Sequence, residues 1–286
     1  MTASSLDWGR HYLMCPPTHF EVAYAINPWM GGQVDPDLAA TQWETLVSTM
    51  LLAGADVSFI DPVAGLPDMV FTANAGIIDE RTFFSSSMQH PQRRPETGHF
   101  THWAGTHGYT VEPMPPGATL EGLGDCLPLG QSLVSGYGAR STRPAHTHLS
   151  RLTGRPVIGV QLSDPRWYHV DLTLCPLDGR RAIVYPDAYD RDGASRVMQA
   201  ITEPLILDQA EAATFAANSV VMGQTVIMPA CPSRVGRQLQ AWGFDVVVVD
   251  VSEFLKAGGA VRCLTLALDT NLSVTPEVAT LVLEVA

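Results

Sequence analysis

A chain of 286 residues, 46% hydrophobic and only 16% charged, is long enough to bury a large core. Its formal charge of -12, from 17 Lys and Arg against 29 Asp and Glu, argues against contact with nucleic acid or an anionic membrane and suits a small cationic substrate. Polar residues break every apolar run well short of the ~20 residues of a membrane span, and residues 1–10 lack the basic and apolar regions of a secretory leader, so the expected location is the cytoplasm.

In chain order, the apolar stretch VAYAI ends at Asn27. Residues 36–53 read as a helix with Pro36 near its start and Gly54 at its end, leading into a strand over 56–60. In the run PDMVFTANAG, strand alternation puts Val70, Thr72 and Asn74 on one face, with Asp68 at the entrance, where it serves equally well as a cap. Glu121-Gly122-Leu123-Gly124-Asp125 sets two acids around glycines, either a solvated turn or a place of close backbone approach to a ligand. The stretch 167–174, WYHVDLTL, reads as a strand with His169 and Asp171 side by side. Residues 185–193 look like an exposed loop, 195–201 and 233–242 like helices, and 205–207 and 244–249 like strands. Gly258 and Gly259 precede Cys263.

These pieces are periodic. Asn27, Asn74, Asp125, Asp171 and Asn218 recur at intervals of 47, 51, 46 and 47 residues, and a further step of similar length arrives beside Cys263. Repeats of this length mark supersecondary units that stack or close on one another. Each unit reads as strand, strand, helix, strand, with the stretch between Asn74 and Asp125 the least regular. If the start of the chain supplies a strand to the last unit, about five units close a ring and remove free sheet edges. The landmark residues then converge on the axis. The expectation is one α/β domain over 1–286, a five-bladed propeller of ββαβ units around a central site.

Five cysteines, Cys15, Cys126, Cys175, Cys231 and Cys263, are scattered and form neither a disulfide framework nor a metal pair. The histidines at 90, 99, 102 and 107, and at 146 and 148, lack carboxylate or thiol partners at ligand spacing, so neither metal nor cofactor is expected. A lone cysteine in an apolar strand is ordinarily core. The repeat position of Cys263, matching those of His169 and Asp171, gives it a second reading as a thiol nucleophile beside an imidazole and carboxylates.

Taken together, the segments MCPPTHFEVAYAINPWM, PDMVFTANAG, EGLGDCL, the STR at 141–143, the His-x-Asp at 169–171 and the glycine-rich run into Cys263 resemble the guanidine-modifying enzymes of the pentein fold. That group comprises arginine deiminases, dimethylarginine dimethylaminohydrolases, arginine dihydrolases and amidinotransferases. The resemblance implies Cys263 as nucleophile, His169 as general acid and base, and Glu121 as its acidic partner. It implies Asp171 and Asn74 at the guanidinium, and Arg93 and Arg143 on the substrate carboxylate, with Arg94 a competing register for the former. Asp68 and Asn27 fall at the amino-acid end. The implied substrate is a small cationic amino acid, and the sequence leaves homo-oligomer formation open.

Two positions depart from the family's pattern. Asn74 stands where deiminases and dimethylaminohydrolases generally carry aspartate; with the CPP and INPWM segments it looks more like the arginine dihydrolase branch, which takes arginine to ornithine, ammonia and carbon dioxide. Leu123 replaces a family glycine. Dimethylarginine hydrolysis, deimination to citrulline, amidino transfer to an amine, and a non-catalytic ribosome-binding relative remain as alternatives.

Overall fold

The computed structural model describes residues 8–270 and 272. Among these residues, fifteen strands form five separate three-stranded sheets. In each sheet the middle strand pairs antiparallel with an inner strand and parallel with an outer one. The local chemistry explains that mixture. In four of the sheets the inner and middle strands are joined by short turns, whereas a parallel partner needs a crossover, and a helix supplies it. The five crossover helices are Pro36–Leu52, Glu96–Thr106, Arg143–Thr153, Arg191–Ala200 and Ser233–Ala241.

The ring closes as the period requires. His11–Met14, near the chain start, lies between Leu266–Ala267 and Asp56–Phe59, with Tyr12 opposite Ala267 and Val57. Inner strands such as Gly76–Asp79 and Cys126–Leu129 are buried throughout, while the outer strands Asp56–Phe59 and Asp245–Val248 are largely open. Continuous apolar runs at the centre are what burial on both faces demands. The first helix begins where its capping chemistry puts it. Asp35 accepts from the backbone N–H groups of Asp37 and Leu38, Pro36 occupies the first turn, and Gly54 turns the chain away at φ +90°.

Several expectations need correction. The stretch 167–174 is not a strand: His169 is extended, Val170–Leu172 is a 3₁₀ turn, and the strand is Leu174–Pro176. Likewise Pro67–Val70 and Thr72–Ala75 are 3₁₀ turns, so Val70, Thr72 and Asn74 do not share a strand face. Asn74, Asp125, Asp171, Asn218 and Cys263 sit on short turns that lead into the inner strands, which brings them to the end of the ring; Asn27 does not share that position, because it lies between the strand His11–Met14 and the helix Pro36–Leu52. Residues 185–193 are not an exposed loop either. Tyr185, Ala188 and Tyr189 are buried, and Asp190 caps a helix that starts at Arg191 rather than near Ser195. The second unit, with strands Gly76–Asp79, Thr82–Ser85 and Thr110–Pro113, is as regular as the rest. Its helix, ETGHFTHWAGT, is masked in sequence by two glycines and only weakly amphipathic spacing. Residues 1–7, the bulk of the stretch read for a leader, lie outside the described residues. Among the described residues no helix is long and apolar enough to cross a membrane.

Candidate active site

Cys263 sits in a tight turn, with Leu264 N–H donating to Ala260 O at 3.2 Å and Thr265 N–H to Arg262 O at 3.1 Å. Its sulfur is buried, 3.4 Å from Asp171 Oδ2 and 3.1 Å from Asn218 Nδ2. Burial, and then the neighbouring Asp171 carboxyl, push the thiol well above its ordinary value. Burial also lifts Asp171, to about 7, against the opposing pull of the Cys263 hydrogen bond and Arg262. The ligand-free site therefore holds a protonated sulfur beside a carboxyl that gives up its proton reluctantly. Asp171 Oδ1 is buried without a partner, an acceptor still to be satisfied.

His169 lies opposite in chemistry. Its Nε2 is 2.8 Å from Glu121 Oε2, and the same oxygen receives Arg140 Nη1 at 2.8 Å. Gln89 N–H donates to Glu121 Oε1 at 3.1 Å. Burial alone would raise Glu121, but Arg140 and the hydrogen-bonded His169 outweigh it and hold the carboxyl well below the usual range. Because that carboxylate is only an acceptor, the proton of a neutral imidazole resides on Nε2 and the lone pair on Nδ1. Gly124 makes room here: a Cβ at that position would stand 2.3 Å from Asn74 Nδ2 and 3.2 Å from His169 Nδ1.

Arg93 is buried and nearly fully engaged. It grips Glu96 through Nε at 2.9 Å and Nη2 at 2.8 Å, and donates from Nη1 to Asn74 Oδ1 at 2.8 Å and from Nη2 to Asp68 O at 3.1 Å. Asp68 Oδ2 accepts from Tyr24 Oη at 2.9 Å, and its other oxygen is buried without a partner. Burial raises Asp68, with Arg93 opposing. Asn27 is used at both ends, donating to Ala257 O at 3.1 Å and accepting from Trp29 N–H at 2.9 Å, so it ties down the segment that covers the site.

These groups surround a narrow cavity, whose wall includes Asn27, Asp68, Asn74, Arg93, His169 and Cys263. Glu121 and Asp171 stand directly behind it through their bonds to His169 and Cys263. A larger, more open surface depression beside residues 18–22 and 32–36 gathers no comparable set of groups. Arg94 binds Met88 O and Gln89 O and stays out of the cavity, so Arg93 holds that register.

Arg143 is a correction. It opens the helix Arg143–Thr153, exposed, stacked over the Tyr137 ring and hydrogen-bonded to its hydroxyl, beside a different depression. Arg140 reaches the cavity instead, held by Glu121, by Ile26 O at 3.1 Å and over the Tyr168 ring at 4.6 Å. Sequence reasoning also passed over Glu96 as the anchor of Arg93, and over Asn218 as a partner of the sulfur. Asn218 was one of the periodic landmarks, which is the signal that marked it.

Comparison with known proteins places this geometry. A family model described as N,N dimethylarginine dimethylhydrolase, eukaryotic, matches residues 32–269. The N(G),N(G)-dimethylarginine dimethylaminohydrolase of Mycobacterium tuberculosis is 39% identical over 259 residues, 90% of this chain and 85% of that one. The bifunctional arginine dihydrolase/ornithine cyclodeaminase ArgZ of a Synechocystis species is 37% identical over 262 residues; these are 89% of this chain but 37% of that protein, so the chain spans little more than a third of this relative. The N-terminal domain of ArgZ bound to substrate, described as an arginine dihydrolase of cyanobacteria, superposes with a TM-score of 0.88 at 35% identity, covering 92% of this chain and 99% of that domain. The five-bladed ring is thus the pentein fold, and the chain belongs to the dimethylarginine dimethylaminohydrolase family of guanidine-modifying enzymes.

Proposed function

We propose that this protein hydrolyses the guanidinium group of a free arginine-type amino acid through a covalent intermediate on Cys263, and that arginine is taken on to ornithine, ammonia and carbon dioxide. Family membership makes it a hydrolase of C–N bonds in linear amidines. The observation that carries the reading is the convergence of one thiol, one imidazole and several carboxyl groups on a single cavity.

A guanidinium carbon is a poor electrophile because its charge is spread over three nitrogens, so fixing those nitrogens on carboxylates is what orients it for attack. Asp171, with one buried oxygen unsatisfied, is suited to that task. A bound cation also offsets the burial and the like charge that keep the Cys263 proton on sulfur. The thiolate adds to the guanidinium carbon, His169 protonates the departing nitrogen, and ammonia leaves an amidino-enzyme. Water, deprotonated by His169, adds to the same carbon; the C–S bond breaks and the sulfur is released with citrulline. Arg140 suits the substrate carboxylate by its charge and its place in the cavity wall, and Arg93, whose fork is taken by Glu96, adds positive charge and one remaining N–H.

Asn74 supports the second hydrolysis. Its carbonyl is taken by Arg93 at 2.8 Å, while its amide nitrogen has only a long contact to Glu121 O at 3.4 Å, and the residue lines the cavity. An amide donor serves a neutral ureido oxygen, which a carboxylate would repel. Overall, arginine and two waters give ornithine, two ammonia and carbon dioxide. The second reading is hydrolysis of methylated arginine to citrulline, supported by the family model and the mycobacterial relative. Mass spectrometry of the products from arginine, monomethylarginine and dimethylarginine tests both. Ornithine from arginine alone supports the dihydrolase, citrulline as the end product overturns it, and no reaction without an added amine points to amidino transfer. All five cysteines are unpaired, which supports a reducing, cytoplasmic location.

A further inference from the structure

We propose that Asn218 is a positioning residue that holds the Cys263 sulfur and favours its thiolate, an inference that rests on the reading of Cys263 as nucleophile. The Asn218 carboxamide is fully buried, and each of its polar atoms serves one turn or its neighbour. Oδ1 accepts from the N–H groups of Arg262 at 3.0 Å and Cys263 at 3.2 Å. Nδ2 donates to Cys263 Sγ at 3.1 Å and to Asp171 O at 3.2 Å. One amide thereby fixes the backbone of the sulfur, the sulfur itself, and the strand entrance that carries its carboxyl partner.

A neutral thiol is a weak acceptor, so a core amide gains little from facing it. A thiolate makes the same contact charge-assisted, and the bond strengthens when the reaction needs it. Asp171 acts in the opposite sense, holding the thiol proton at 3.4 Å until a cation claims the carboxylate. Asn218 is then the donor that stays with the sulfur.

The chain spends conformational energy to put Asn218 there. Phe215 adopts φ +61°, one of two non-glycine residues at positive φ among the described residues, and a bulky side chain in that region is strained. The strained turn is closed by Asn218 N–H donating to Phe215 O at 2.8 Å. The Phe215 ring packs at 4.9 Å from Trp29 and 6.5 Å from Trp167. Trp29 belongs to the segment that contributes Ile26, Asn27 and Met30 to the cavity wall, so substrate cover and sulfur support share one aromatic cluster.

The test uses the full chain with Asn218→Ala, which removes every contact, and Asn218→Asp, which keeps the shape and the acceptor oxygen but replaces the donor. Iodoacetamide labelling of the Cys263 peptide is followed by mass spectrometry against pH, with kcat and KM for arginine and Cys263→Ser in parallel. Losing a hydrogen bond to a charged group predicts a labelling midpoint about one unit or more higher and kcat roughly 10- to 100-fold lower, with KM changed by less than about threefold. Should Asn218→Ala fail to fold, the isosteric variant carries the same expectation. An unshifted midpoint overturns the proposal, whether or not kcat or thermal stability falls, because a purely structural amide would leave the sulfur's titration alone. If Cys263→Ser is inactive in that case, the nucleophile reading stands by itself; undiminished turnover by Cys263→Ser overturns both.

Discussion

Asp171 and Cys263 sit 3.4 Å apart, carboxyl to sulfur, both buried and 92 residues apart in sequence. Burial and the Asp171 carboxylate raise the cost of ionising Cys263, while the thiol, by donating to Asp171, eases ionisation of the carboxyl, so the free site stores the nucleophile in its unreactive form. A guanidinium that pairs with Asp171 removes that restraint. Activation of the thiol is therefore coupled to arrival of the right charge, which protects it from other electrophiles.

Asp171→Asn separates the two roles. Without the carboxylate the thiol loses a like-charge neighbour, and its alkylation at about pH 8 should quicken by roughly tenfold, one unit of pKa. Turnover should move the other way, with kcat/KM lower by on the order of 100-fold because the cation's partner is gone. Slower alkylation in this variant would mean that Asp171 activates rather than restrains the sulfur.

The same groups make stability depend on pH. Asp171 and Asp125 are raised to about 7 and about 6, mainly by burial, so the folded protein keeps protons that the unfolded chain releases near its ordinary carboxyl value. Raised carboxyls contribute stability that is full at low pH and lost as pH climbs through the folded value. Glu121, held below the usual range, has the opposite sign, and its contribution disappears only in more acidic solution. The thermal midpoint of the ligand-free protein should therefore fall between about pH 5 and pH 8, and Asp171→Asn should flatten the slope. A midpoint that climbs over that interval would contradict the assignment of buried carboxylic acids.

Much of this site can be read from periodicity. Asn74, Asp125, Asp171, Asn218 and Cys263 mark the ends of the inner strands, and their spacing alone brings them to the axis. Pro36 and Gly54 likewise announce the two ends of a helix. What the sequence hides is local geometry imposed by closure. His169 to Thr173 alternates as a strand would, yet the chain must turn at the ring's end, and Thr173 N–H closes onto Val170 O at 2.9 Å. Arg140 was hidden for another reason. Its identity as a site residue depends on a return from the strand Ser132–Tyr137 that puts its guanidinium onto Glu121, 19 residues earlier, and no short motif encodes that return. The STR triplet beside it drew attention to the wrong arginine.

Gly124 provides a steric test of the close approach between blades. Its backbone does not have positive φ, so alanine is conformationally acceptable there and only the contacts object. Gly124→Ala must displace Asn74 or His169, and overpacking of this kind costs about 1–3 kcal/mol. We expect a folded protein with a lower thermal midpoint and kcat reduced at least about tenfold, since the Asn74 amide must move and the imidazole is crowded. Wild-type kcat would show that His169 tolerates the displacement.

The two neighbouring arginines give the sharpest contrast. Among the described residues, Arg140 and His169 are the basic side chains hydrogen-bonded to buried Glu121, and removing one partner of a buried ion pair costs about 3–5 kcal/mol. Arg140→Ala should therefore be strongly destabilised, lose the fixed imidazole and show little turnover. Arg140→Lys keeps the charge but gives up the fork that spans Glu121 and Ile26 O, so it should recover stability better than activity. Arg143→Ala removes an exposed guanidinium stacked on Tyr137 and should stay within about 0.5 kcal/mol of the parent, with KM and kcat within about twofold. Thermal melts and arginine kinetics on the three variants decide the matter: a large rise in KM for Arg143→Ala would return the substrate carboxylate to that residue.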